Sequence, residues 1–452
     1  QKSLQDQYAK DFKDIFIMKG KSNYPCSLDP SNGCDRGLCR TDKKLPCFIQ
    51  KKSECPYYVE LKKAMSAEIV LHNFSSFLYQ AKYLPKYTQK RKVVIIDEAH
   101  NIEKILMNFV SFKISARAIE YIIPKKETIE EYIQVLRNIS TNIIEKITAL
   151  NEQIERGYTN IFSDIEELEE IQEKIMFFLS ESSDINNWTF NVELDSNGFV
   201  KTLEIKPIYV NKYSGYLFSK ADKIICMSGT IDKEIFYKSL GLNADDIEYI
   251  EIPSTFPVIN RPIYTDYIGN INVKTVDKLL PVIADKIREL LDKYKGSKGI
   301  IHTHTYKIAK YIEDNIKDSR LIFHGYVANG DNRTREEALE LHKQSERDTV
   351  IVTPSMTEGV DLIEDLSRWQ IIIKIPYPYL GDKQISIRAS KDPLWYQYET
   401  IKTVCQAYGR IVRSETDTGD TYILDSSFEK LYYKNKDKFP KWFSEAIKEI
   451  DW

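Results

Sequence analysis

Two acids and a histidine, in Asp97-Glu98-Ala99-His100, follow the apolar run Val93-Val94-Ile95-Ile96. Four β-formers in a row read as a short strand buried on both faces, with the acids where that strand emerges. The carboxyl end of a parallel strand delivers polar groups into the crevice where α/β proteins bind ligands. Asp97 is placed to hold nucleotide-bound Mg²⁺, directly or through water, and Glu98 to orient and deprotonate an attacking water. A strand whose terminal acids merely cap a helix is the plainer alternative. Opposite charge comes far along the chain, in Gln406-Ala407-Tyr408-Gly409-Arg410-Ile411-Val412-Arg413. This stretch predicts a helix with Arg410 and Arg413 three apart on one face, able to reach a γ-phosphate and offset charge in a transition state. The expected geometry is a carboxylate pair on one lobe facing a guanidinium pair on another.

A second chemistry belongs to sulfur. Five of the seven cysteines, Cys26, Cys34, Cys39, Cys47 and Cys55, fall within thirty residues at the spacing C-x7-C-x4-C-x7-C-x7-C. An odd total without a secretory signal argues for reduced thiols at a metal centre rather than a disulfide framework. Pro25, Pro30, Gly33, Gly37, Pro46 and Pro56 make this stretch a loop that needs a staple. Four thiolates would supply one and leave a fifth cysteine over. Zinc favours closer pairs than these, a [4Fe–4S] cluster tolerates them, and buried free thiols are the bland reading. Around the cysteines, Arg36, Arg40, Lys43, Lys44, Lys51 and Lys52 with Phe48, Tyr57 and Tyr58 suit a surface that tracks phosphates and stacks bases.

The elements that must position these groups can be read in outline. Glu68–Asn73 reads as a strand running into a loop, and His72 receives no catalytic role. Residues 106–185 read as long amphipathic helices forming a separate inserted lobe, with a coiled-coil arm as the alternative. Lys223–Ile231 is a strand leading into Ser228-Gly229-Thr230, small residues able to bond beside the Asp97 strand. A second α/β domain is expected from about Pro262. Within it, Lys298–Tyr306 is a strand followed by a hydroxyl-rich turn opening a helix, where Thr303 and Thr305 could meet a phosphate backbone. His302 and His304 in the same turn are better read as packing groups than as metal ligands. Thr349–Pro354 is another buried strand, followed by Glu358, Gly359 and Asp361, with Gly359 allowing close backbone approach. A phosphate loop is what this pattern lacks. Gly20-Lys21-Ser22 is the one Gly-Lys-Ser/Thr tripeptide, but position 15 is Ile rather than Gly and Pro25 prevents a following helix.

At 452 residues the chain can bury several cores, so two to four domains are expected. Lys plus Arg total 64 against 67 acids, a net charge of −3, so nucleic acid would be gripped by local patches and not by global charge. No apolar run of about 18 residues and no signal-like start are present. The expectation is a cytoplasmic protein without membrane contact.

Val93–His100 resembles the Walker B segment of DEAH-type superfamily-two helicases. Met18–Cys26 and Cys55-Pro56-Tyr57-Tyr58 are similar to the two ends of the iron–sulfur insertion in XPD/DinG-type DNA helicases. Ser228–Thr230 resembles motif III, His302–Tyr306 motif IV, Met356–Leu362 motif V, and Gln406–Arg413 with Asp417 and Gly419 motif VI. The resemblance implies an α/β fold of two RecA-like motor domains, the first carrying a loop-rich iron–sulfur insertion and a helical, Arch-like insertion. The expected bounds are 1–20, 61–105 and 206–245 for the first motor, 21–60 for the cluster domain, 106–205 for the helical insertion and 246–452 for the second motor. It implies ATP, Mg²⁺ and a [4Fe–4S] cluster on Cys26, Cys39, Cys47 and Cys55, with Cys34 the alternative to Cys39. Asp97, Glu98, His100, Arg410 and Arg413 would be catalytic. Gln406, Gly359, Asp361 and Gly409 would hold nucleotide, and Ser228, Gly229, Thr230, Thr303, Thr305 and Glu358 would couple it to DNA. The implied activity is 5′→3′ movement on single strands of fork or bubble DNA by a monomer. The missing phosphate loop implies a truncated, weakly active form. A catalytically inactive DNA-binding scaffold and a zinc-stapled RNA helicase are the rival readings.

Overall fold

The computed structural model describes residues 5, 8, 10–40, 45, 55–155, 161–325, 333–355 and 362–448. The chain divides into two units, Gln1–Ile247 with Leu380–Ile387, and Glu248–Tyr379 with Arg388–Trp452.

In the first unit, strand β1 (Ile15–Met18) pairs in parallel with β2 (Ile69–His72), and the cysteine-bearing loop lies between them in sequence. Its described parts are short helical turns. Beyond the loop, α1 (Pro56–Ser66) begins with Pro56, whose missing N–H costs nothing in a first turn. After β2, Asn73 caps α2 (Phe74–Tyr83) by accepting from Ser76 N at 2.7 Å. Strand β3 (Arg91–Ile96) follows, then α3 (Ile102–Val110) and β4 (Phe112–Ser115).

The inserted lobe has two long helices, α4 (Ile129–Glu155) and α5 (Phe162–Ser180). Tyr132, Leu136, Ile139 and Ile143 are buried on one, Leu168, Ile171, Ile175 and Phe178 on the other, at the three-and-four spacing that makes a single apolar stripe. Gln172 donates to Ser140 Oγ at 2.8 Å inside the seam. The lobe is not helical alone. β5 (Trp188–Leu194) and β6 (Val200–Pro207) join β4 in an antiparallel sheet of order β4-β6-β5, and this sheet packs into the same core as both helices. A four-residue β4 pairs with β6, Ser115 opposite Thr202 and Phe112 opposite Ile205, far along the chain, so local periodicity gave no sign of it.

β7 (Ala221–Cys226) pairs in parallel with β3, Val94 opposite Ile224. The expectation that β3 is buried on both faces fails. Ile96 is 5% exposed, but Val93 is 48% and Ile95 61% exposed, as are Ile225 (49%) and Met227 (41%). Among the described residues β3 and β7 pair only with each other, and the hydrophobic core covers one face of the pair.

The second unit is built on a seven-stranded parallel sheet of order β10-β11-β9-β12-β13-β8-β14. Its strands are β8 (Ile263–Gly269), β9 (Gly299–His302), β10 (Leu321–Phe323), β11 (Val350–Thr353), β12 (Trp369–Ile372), β13 (Asp420–Asp425) and β14 (Ile447–Lys448). β9, β11 and β12 are buried at every residue, as near-continuous apolar strands in the middle of a parallel sheet should be. Gly299 is dictated by packing, because a Cβ there would overlap the Trp369 indole. The sheet matches the α/β expectation. No described helix is long and apolar enough to cross a membrane.

Candidate active site

The two acids and the histidine lie in the first unit. β3 ends at Ile96 and the chain turns at Asp97 and Glu98, where Glu98 takes a left-handed conformation (φ 50°) uncommon for a side-chain-bearing residue. Asp97 Oδ1 accepts from Glu98 N at 2.8 Å and Oδ2 from the Tyr8 hydroxyl at 3.3 Å. The Asp97 carboxylate is half-buried and that of Glu98 is exposed. His100 lies buried beneath them, with Nδ1 2.7 Å from Ser228 Oγ and 3.3 Å from Glu98 Oε2. The β3–β7 ladder extends into the two turns, since Met227 N donates to Ile96 O and Ala99 N to Met227 O, both at 2.9 Å. Ser228 Oγ also accepts from Thr230 N at 3.1 Å. Asp97, Glu98, His100, Ser228 and Thr230 therefore form one hydrogen-bonded group, with Gly229 in its turn. Tyr8 was not foreseen, and a lone tyrosine in an N-terminal polar stretch carries no sequence signal.

The two arginines lie in the second unit and depart from the expected helix. Pro393–Tyr408 is helical, but Gly409 caps its end, so Arg410 and Arg413 stand in the following turn. Both curl back on the helix terminus, whose last carbonyls lack helical partners. Arg410 Nε donates to Gln406 O at 3.1 Å and Nη2 to Gln406 Oε1 at 3.2 Å; Arg413 Nη1 donates to Gly409 O at 3.2 Å. Arg410 is 7% exposed and Arg413 exposed. Gln370, buried on β12, donates to Tyr408 O at 3.0 Å and to Thr421 Oγ1 at 2.8 Å. Asp417, 1% exposed, accepts from Arg413 N (3.1 Å), Glu364 N (3.2 Å) and Thr418 N (2.9 Å) and pairs with Arg368 at 2.7 Å. An amide inside the apolar run Trp369-Gln370-Ile371-Ile372 was the one sequence signal for Gln370, because a buried amide needs partners.

Thr303 is fully buried, and its hydroxyl donates to Thr305 O at 3.1 Å, so it shapes the turn rather than facing a phosphate. Thr305 caps the next helix, Tyr306–Asn315, accepting from Ile308 N at 3.3 Å. Burial pushes His302 down to about 4, the nearby Arg410 charge adding to it, and burial beside Lys374 does the same to His304. Glu358, Gly359 and Asp361 lie outside the described residues, as does Cys47.

Of the thiols, Cys34 and Cys55 are buried with sulfurs 3.7 Å apart, and Cys26 is buried in the same segment. Gly37 leaves room beside it, since a Cβ there would sit 3.1 Å from Cys26 Sγ. Burial, with Cys55 and Cys26 nearby, pushes the Cys34 thiol up to about 12. Cys39, the expected second ligand, is only half-buried, whereas its alternative Cys34 is buried beside Cys55. Three buried soft donors in one loop fit a thiolate-ligated centre in chemistry. The described residues alone do not close one, because no group of three or more His, Cys, Asp or Glu is arranged to hold a metal ion.

The Helicase C-terminal domain family matches residues 287–446, and the DEAD_2 family residues 40–119. The ATP-dependent DNA helicase XPD of Sulfolobus acidocaldarius is 22% identical over 84% of this chain and 73% of its own length. A probable ATP-dependent helicase of Methanocaldococcus jannaschii is 22% identical over 92% of this chain and 80% of its own. The regulator of telomere elongation helicase 1 homolog of Caenorhabditis briggsae is 29% identical over 114 residues, so the chain spans 11% of that relative's length. Among solved structures, an XPD helicase superposes with a TM-score of 0.57 at 17% identity, covering 96% of this chain and 86% of that one. Xpd4 of S. tokodaii gives 0.56 at 13% identity, covering 100% and 94%. A DEAD_2 match and a Helicase C-terminal match in order, with relatives matched along most of the chain, support an XPD/DinG-like superfamily-two helicase, and the solved XPD structures share the fold.

Proposed function

We propose that this chain is the larger part of an ATP-dependent DNA helicase that moves 5′→3′ on single strands and opens forks or bubbles as a monomer. The observation that carries the reading is the Glu98–His100–Ser228 bridge, which ties a hydrolytic turn to the loop of the neighbouring strand. In this reading Asp97 would hold Mg²⁺, which would supply positive charge to the phosphates when bound. Glu98 takes the proton of the attacking water while His100 fixes its carboxylate. Arg410 and Arg413 leave their helix-terminal carbonyls to offset charge on the γ-phosphate, and Gln406 and Gly409 hold the nucleotide with Gly359 and Asp361. DNA as substrate is supported by the relatives, which include ATP-dependent DNA helicases.

Cys26, Cys34 and Cys55, with Cys47, are the proposed ligands of a [4Fe–4S] cluster, which would staple a loop whose described parts are short helical turns. Zinc on the same thiols is separated from it by colour: protein purified without oxygen should absorb near about 400 nm and carry iron and sulfide.

A phosphate loop is still required. Lys21–Asn23 is one short helical turn followed by extended Tyr24, not a loop opening a helix. The exposed apolar face of β3 and β7 supports a missing strand-and-helix layer there. This chain should therefore hydrolyse ATP close to background, with or without DNA. A longer protein with a Gly-Lys-Ser/Thr loop upstream should show DNA-stimulated hydrolysis that Glu98→Gln abolishes. Vigorous hydrolysis by the 452-residue chain, or activity surviving Glu98→Gln, would refute the assignment.

A further inference from the structure

Residues Leu380–Ile387 pack within the first unit, although the chain on both sides of them belongs to the second. Their seat is the β5–β6 sheet of the inserted lobe, and the contacts are specific. Asp382 Oδ2 lies 2.6 Å from Lys206 Nζ, and Lys206 also pairs with Glu204 at 3.0 Å. Both partners of the first pair are largely buried, with side-chain exposures of 12% for Lys206 and 21% for Asp382. Gln384, 5% exposed, donates to Ile208 O at 3.0 Å. Lys383 N donates to Asn191 Oδ1 at 3.0 Å, and its ammonium stands 3.6 Å over the Phe190 ring. A surface connection needs none of this; loops ordinarily leave their polar groups to water.

The same segment starts a helix. Asp382 Oδ1 accepts from Gln384 N at 2.9 Å, opening the helix Lys383–Lys391. Further along it Arg388, 2% exposed, holds its guanidinium 4.1 Å over the Trp395 ring. Trp395 lies on the next helix, Pro393–Tyr408, which ends at Gln406 and the arginine turn. One residue, Asp392, separates the two helices, and it caps the second by accepting from Trp395 N at 3.2 Å. The anchored segment and the arginine turn are thus joined by two successive helices clamped by a buried cation on an aromatic ring.

We propose that Leu380–Ile387 is a coupling strap that transmits displacement of the arginine turn to the sheet and helical hairpin of the inserted lobe. The idea rests on the motor reading for what moves the arginines, but the tie itself is a property of this chain. A buried pair exchanges partners reluctantly, because losing one partner leaves a charge desolvated. A tie of that kind carries force where an exposed loop would slacken.

Amide hydrogen exchange on this chain tests it. Lys206→Gln should speed exchange about tenfold, the scale of one lost hydrogen bond, at Lys383–Arg388 and also at Tyr408–Arg413. Gln384→Ala, which keeps the ion pair, should do the same more weakly and guards against a variant that fails to fold. Faster exchange confined to residues 188–208 and 380–387 would mean a local staple and overturn the proposal, as would no change. In a longer protein with a phosphate loop, Lys206→Gln should leave ATP hydrolysis within about twofold while strand opening per ATP falls several-fold. If the wild-type longer protein does not hydrolyse ATP, the motor reading fails, while the exchange result still decides whether the tie exists.

Discussion

Cys34 and Cys55 bring two sulfurs to 3.7 Å, Cys34 from a short helical turn and Cys55 from the N-cap of a helix, and burial keeps the Cys34 thiol protonated. A thiol pushed up to about 12 is inert unless a metal supplies the charge that its thiolate needs. Cys34→Ser should therefore remove most of the iron from anaerobically purified protein, and Cys39→Ser should leave it. Iron analysis reads this directly, and equal loss from both variants would defeat the choice. Spacing could not make that choice, because Cys34 and Cys39 are five residues apart in a loop whose path is set by tertiary contacts. The acid pair was legible, because four β-formers and two acids are a local pattern. Its partner across the ladder was legible only as a type: Ser228 was expected beside the acids, but its bond to His100 was not. Ser228→Ala removes that hydroxyl and leaves His100 with Glu98. In a phosphate-loop-bearing protein it should lower kcat about tenfold, with a smaller change in KM, the worth of one hydrogen bond to an orienting group. An unchanged kcat would reduce Ser228 to a turn residue.

Among the elements, those with strong periodicity were readable and those whose partners lie far away were not. The hairpin of Ile129–Glu155 and Phe162–Ser180 repeats its apolar residues at helical spacing, and the buried strands of the second unit are continuous apolar runs. The β4–β6–β5 sheet escaped, as did the return of Leu380–Ile387 to the first unit, because neither has a local signature. The arginine turn was misread as helix because spacing ignores the stop: Gly409 ends the helix, and its terminal carbonyls then claim Arg410 and Arg413. β3 was misread in the other direction, since an apolar run shows that a strand can be buried, not that both faces are covered. Ile95→Lys should accordingly change the stability of this chain by no more than about 0.5 kcal/mol, while Ile96→Lys, which places a charge in the core, should cost several kcal/mol. Chemical denaturation of the two variants separates them. Equal, large losses would show that the Ile95 face is covered in solution.

At the scale of the whole molecule, buried His302 and His342 and half-buried His304 make the second unit a pH-limited structure. His302, His304 and His342 are each lowered from 6.5 to about 4, burial being the largest cause in every case. His342 shows what the neutral ring does, with Nε2 2.7 Å from Leu366 O and Nδ1 2.9 Å from the Thr349 hydroxyl. Donating at one nitrogen and accepting at the other is possible only for an uncharged imidazole. The unfolded chain takes up protons near pH 6.5 and the folded one does not until about 4. Between those values the unfolded state holds more protons, so stability is complete above that window and is lost as pH falls through it. Paired carboxylates act lower: Arg320 holds Asp318 and helps to hold Asp348 below the usual carboxylate range, so they give up stability only under more acid conditions. The loss at mildly acid pH therefore belongs to the histidines, at up to about 3 kcal/mol each by the time the pH reaches 4. Melting of the second unit, followed by Trp369 and Trp395 fluorescence, should shift down steadily from pH 6.5 to 4.5. His342→Gln, whose amide can keep both hydrogen bonds but cannot take a proton, should make that decline shallower, even if it melts lower at pH 7.5. Identical slopes for the variant and the parent would show that His342 is not one of the groups that set acid sensitivity.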